Sequence, residues 1–130
     1  MFMNIYVDDM RAKPDRYDLL FVTCEEFLEW VSFNKEKEID LLSLDHDFGD
    51  GFITGSELCE NLTQINDLKL KRVQFHSSNY QGLKSMYSIM NKAKEEGTIP
   101  QLEDIYQYKV DTETGVELYP RFFDLEFNSK

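Results

Sequence analysis

Both histidines of the chain, His46 and His76, lie just past short apolar runs and have ion-binding side chains as neighbours. Asp8, Asp9 and Arg11 come after Met3 to Val7; Asp45, His46 and Asp47 come after Ile39 to Leu44; His76, Ser77, Ser78 and Asn79 come after Arg72 to Phe75. If these runs are strands of an open parallel sheet, the residues share its carboxyl edge, where such sheets bind ligands. Four carboxylates gathered there, Asp8, Asp9, Asp45 and Asp47, repel one another unless a cation sits among them. Hard oxygen ligands suit Mg²⁺, Mn²⁺ or Ca²⁺, so a divalent metal site is the expectation, and solvated strand-end acids are the bland alternative. Asn79 or a neighbouring serine would cap the helix that follows, whose free N–H groups make a seat for phosphate. Ser77 and Ser78 read equally as caps or as phosphate ligands. Arg11 would clamp the anion. His46 and His76 are either buried and hydrogen-bonded or general acid and base near neutral pH.

The elements that must position these groups alternate apolar runs with amphipathic stretches, a pattern of βαβ units around a mostly parallel sheet. Leu19 to Val22 is a second run, followed by Thr23 as N-cap of a helix lined by Phe27, Leu28 and Val31. Leu58, Cys59, Leu62 and Ile65 mark a second helix, and Leu83, Met86, Tyr87, Met90 and Ala93 a third that stops at Gly97 and Pro100. Beyond residue 100, Ile105 to Val110 and Val116 to Tyr119 flank Asp111-Thr112-Glu113-Thr114-Gly115 as a β-hairpin. The expected organisation is an α/β domain over residues 1–100 and a strand or hairpin extension over 101–130, packed on the same domain.

The chain has 130 residues, with 14 basic against 25 acidic side chains and a net charge of −11. That excludes a generic basic nucleic-acid binder and sequence-specific DNA recognition, because phosphates are repelled unless a local cation intervenes. The apolar start meets Asp8 at once and has no basic flank, so it does not read as a signal peptide. No apolar run approaches the ~18 residues of a membrane span. Cys24 and Cys59 lie in helical segments without metal spacing, and a cytoplasmic, reduced setting is expected.

Three partial motifs fail on spacing or context. Asp45 to Glu57 nearly fits an EF-hand loop but has one residue too many before Gly51 and follows a strand. Asp45-x-Asp47 is similar to the nucleophile motif of haloacid-dehalogenase-type phosphatases, yet it follows the third strand rather than the first. His76-Ser77-Ser78 fits one element of two-histidine phosphoesterases, and the second copy is missing.

Asp8-Asp9, Asp45 and Ser77 or Ser78, each after its strand, resemble the site of response-regulator receiver domains over about residues 3 to 96. The runs Ile5 to Arg11, Leu42 to Gly49 and Phe75 to Asn79 more specifically resemble the cyclic-phosphate-processing receiver family. They combine the acid pair, an Arg two residues on, an Asp-His-Asp and a His-x-Ser-Asn in matching order. The resemblance implies a receiver-like (flavodoxin-like) three-layer sandwich, with the acidic pair and Asp45 holding Mg²⁺ or Mn²⁺ and a serine contacting phosphate. It lacks the lysine that receivers carry at the end of a fifth strand.

Two functions follow. The first is a metal-dependent phosphoesterase opening a cyclic phosphate on a nucleotide or RNA end. There His46 and His76 exchange protons, Ser77, Ser78 and Asn79 position the anion, and Asp45 as covalent nucleophile is the less favoured variant. The second is a non-catalytic receiver-like module that senses phosphate or metal and binds a protein partner. A weaker third, an acidic mimic of nucleic acid, would be indifferent to the site residues.

Overall fold

The computed structural model describes residues 2–77, 79–110 and 117–122. Strands β1 (Phe2–Val7), β2 (Leu19–Phe21), β3 (Glu38–Leu44), β4 (Arg72–Phe75), β5 (Asp104–Val110) and β6 (Glu117–Phe122) form one sheet in the order β2-β1-β3-β4-β5-β6. The first five in that order are parallel, and β6 runs antiparallel to β5. Helices α1 (Cys24–Phe33), α2 (Gly55–Leu62) and α3 (Tyr80–Glu96) connect β2 to β3, β3 to β4 and β4 to β5.

This is the receiver-like α/β arrangement. The chain leaves β1 toward β2 on one side and later crosses back to β3, which places a topological switch between β1 and β3. Asp8 and Asp45 are the residues that follow those two strands.

Alternation along the strands divides the side chains between two faces. Ile5, Val7, Leu42, Leu44, Val73 and Phe75 pack with Phe27, Val31, Leu58, Leu62, Met86 and Met90 of the helices. Each such apolar side chain contributes roughly 1.5–3 kcal/mol on burial. Tyr6 and Leu41 form a separate cluster with Tyr17. Residues between β1 and β2 cover this second face without a helix. Pro14 interrupts them, and they show no apolar 3.6-residue period. The outer layer is thus irregular chain, held by Asp18 Oδ2 accepting from the Asn4 N–H at 2.8 Å and by Asn4 Nδ2 donating to the Arg16 carbonyl at 3.1 Å.

The helix signals act as local chemistry requires. Thr23 Oγ1 accepts from the Glu26 N–H, Thr54 and Glu57 form a reciprocal capping box, and Asn79 Oδ1 accepts from the Gly82 N–H. Gly97 ends α3 at φ 74°.

Strand β5 lies beside β4, pairing Val73 with Ile105 and Phe75 with Gln107, so the chain after Pro100 continues the parallel sheet. The turn expected at Asp111 to Gly115 lies outside the described residues. With β5 ending Tyr108-Lys109-Val110, a lysine does stand at the end of the fifth strand. Among the described residues, no helix is long and apolar enough to cross a membrane.

Candidate functional site

The carboxyl ends of β1, β3 and β4 bring most of the expected residues together. Asp8, Asp9 and Asp45 each offer an oxygen within 4.8 Å of the others; Asp8 and Asp45 are buried and Asp9 is exposed. Asp47 has different company. Its side chain is 62% exposed, and its carboxylate meets His46 Nδ1 at 2.9 Å and accepts from Asn79 Nδ2 at 3.1 Å.

Asp8 is saturated with donors. Oδ1 accepts from the N–H groups of Met10 and Arg11 at 2.8 and 3.1 Å, and Oδ2 accepts from Arg11 Nη1 at 3.0 Å and from His76 Nε2 at 2.8 Å. Burial pushes its pKa up, but the hydrogen bond and charge of His76, the backbone of Met10 and Arg11 outweigh this and lower it to about 2. Asp45 moves the other way, raised by burial and by the neighbouring Asp8 charge. Its Oδ1 accepts from the His46 N–H at 2.8 Å, and its Oδ2 lies 3.2 Å from Arg11 Nη1. Arg11 therefore bridges the two buried acids.

The histidines occupy unlike environments. His76 is buried, with Nε2 on Asp8, Nδ1 2.7 Å from Ser43 Oγ, and its ring stacked on Tyr6 at 4.5 Å between centroids. Ser43 Oγ also accepts from Gln74 Nε2 at 3.1 Å. Gln74 Nε2 donates to the Tyr17 hydroxyl, and Gln74 Oε1 accepts from Arg16 at 3.4 Å. A buried polar chain thus runs from the covering segment to Asp8. His46 lies nearer solvent, its Nδ1 on Asp47 and its Nε2 3.0 Å from Ser56 Oγ, which is bonded to Ser85 Oγ at 2.8 Å.

Two glycines allow this packing. A Cβ on Gly82 would lie 2.5 Å from His46 Cγ, and one on Gly55 would lie 2.3 Å from the Asp45 carbonyl oxygen. Ser77 is buried, and its Oγ accepts from the Asn79 N–H at 3.0 Å; Ser78 lies outside the described residues. Ser43, Gln74, Ser56 and the glycine contacts escape a reading of motifs. For Ser43 and Gln74 the available signal is a polar residue interrupting an apolar strand run.

The acids fit a divalent ion by donor chemistry, since carboxylate oxygens from two strand ends converge on one volume. Comparison with curated proteins and with solved structures returns no match. The family comparison matches residues 3–92 to the Cyclic-phosphate processing Receiver domain, and these residues include Asp8, Asp9, Arg11, Asp45, His46, His76 and Asn79. With that match over most of its length, the chain belongs to the cyclic-phosphate processing receiver domain family.

Proposed function

We propose that the protein is a metal-dependent phosphoesterase-like protein that acts on or binds a cyclic phosphate of a nucleotide or RNA end. The observation carrying this reading is the gathering of Asp8, Asp9 and Asp45 within 4.8 Å, in a chain of this family. These three would hold Mg²⁺ or Mn²⁺, which when bound supplies polarisation of a phosphoryl oxygen.

The phosphate would lie between Arg11 and the start of α3, where Ser77 and Asn79 order the turn. His46 is the residue placed to exchange protons. The Asp47 carboxylate beside Nδ1 favours a proton there, which leaves Nε2, facing the Ser56 hydroxyl, as the nitrogen to exchange one. His76, fully buried between Ser43 and Asp8, orients Asp8 instead.

Purified protein with Mg²⁺ or Mn²⁺, assayed on 2′,3′-cyclic and 3′,5′-cyclic nucleotides, should turn over at least one class, and Asp45→Asn and His46→Ala should abolish it. Binding without turnover would make the chain a non-catalytic phosphate-sensing module. Neither binding nor turnover would sink the proposal.

A further inference from the structure

The cation that neutralises the acid cluster in this structure belongs to the chain itself. Arg11 Nη1 lies 3.0 Å from Asp8 Oδ2 and 3.2 Å from Asp45 Oδ2, with its side chain only 14% exposed. Asp8 has four donors for its acceptor sites: two backbone N–H groups, His76 and the guanidinium. A divalent ion held by the same two oxygens, Asp8 Oδ2 and Asp45 Oδ2, would compete with the guanidinium nitrogen for them and repel it as a like charge.

Of the four donors, the guanidinium is the one that can leave cheaply. The Met10 and Arg11 N–H groups belong to the loop backbone that places Asp8, and His76 is locked between Ser43 and Tyr6. The Arg11 side chain is long and reaches the acids from the edge of the site, so it can withdraw while its own N–H stays on Asp8 Oδ1.

We infer that Arg11 is the resident counter-ion of the acid cluster, and that a divalent metal binds by exchange, expelling the guanidinium from Asp8 and Asp45 and freeing it for an anion. The inference rests on the metal reading given above. It makes metal and phosphate binding cooperative, because an anion that captures the released guanidinium keeps it from returning.

The test is Mn²⁺ affinity, measured by titration calorimetry and by electron paramagnetic resonance of free Mn²⁺, on wild type, Arg11→Gln and Asp45→Asn. Arg11→Gln should bind Mn²⁺ at least tenfold more tightly than wild type, and Asp45→Asn should lose binding. In wild type, the ¹⁵N side-chain resonances of Arg11 should shift and exchange faster with solvent as diamagnetic Mg²⁺ is added, with the midpoint of binding. Arg11→Gln affinity equal to or weaker than wild type, or Arg11 resonances unmoved at saturating Mg²⁺, would overturn the exchange while leaving the metal site standing. Absence of Mn²⁺ binding in both wild type and Arg11→Gln would overturn the exchange and the metal reading together.

Discussion

His76 Nε2 and Asp8 Oδ2 are 2.8 Å apart, and neither side chain is exposed. The pair ties the end of β4 to the end of β1 across β3, which lies between them in the sheet. Removing His76 takes one of the four donors from the buried Asp8 carboxylate.

His76→Leu should therefore cost about 1.5–3 kcal/mol in urea unfolding, and His76→Gln, which restores a donor, should recover part of it. The pH dependence follows from Asp8, whose pKa falls from 3.8 to about 2 on folding. Its stabilising contribution is fully present above the unfolded value and is lost as pH falls toward the folded one. In metal-free protein the acid limb of the stability curve should be flatter in His76→Leu than in wild type.

Ser43 joins His76 Nδ1 to Gln74 Nε2 in the buried chain. Ser43→Ala leaves both without that partner and should destabilise the fold by about 1–3 kcal/mol. Combining it with Gln74→Leu should cost less than the sum of the single changes. Strict additivity in denaturant unfolding would mean that the two do not act as a unit.

Gly82 receives the His46 ring on the first turn of α3. Gly82→Ala gains about 1 kcal/mol of helix propensity but must displace the imidazole, with overpacking costing roughly 1–3 kcal/mol. Thermal stability should change little or fall slightly, while the His46 ring resonances shift and any turnover drops. Unchanged His46 resonances would show that the contact does not position the ring.

Cys24 and Cys59 are both buried, and burial pushes both thiols well above their ordinary range. Alkylation at mildly alkaline pH should be negligible in native protein and should follow global unfolding across a urea series. Fast labelling of either thiol in native buffer would contradict the packing of α1 and α2.

Asp8 and Asp45 were legible because each follows an apolar run and the carboxyl edge of a parallel sheet collects such residues. Asp47 was not separable from Asp45, since two residues apart on extended chain they would share a side. In the fold, the chain turns after β3 through a loop with Gly49 and Gly51 at positive φ, and Asp47 faces His46 and Asn79 instead. Of the four acids, those with oxygens within 4.8 Å of one another are Asp8, Asp9 and Asp45. The second face was illegible for a related reason: polar Ser43 and Gln74 look like tolerated breaks in strands, and no periodicity announces an outer layer of irregular chain. Likewise β5 pairs with both β4 and β6, and only the antiparallel pairing has a signal in the sequence, the turn residues between the two runs.

The segment between β1 and β2 is wall and fitting at once. At one end it supplies Arg11 and the amides that grip Asp8; at the other, Arg16 and Tyr17 close over Gln74. Tyr17 is joined to Asp8 twice, along the backbone and through Gln74, Ser43 and His76. Prying this strip from the sheet would unmake the acid cluster in the same motion, so the exterior of that face and the chemistry at its edge share a single mechanical fate.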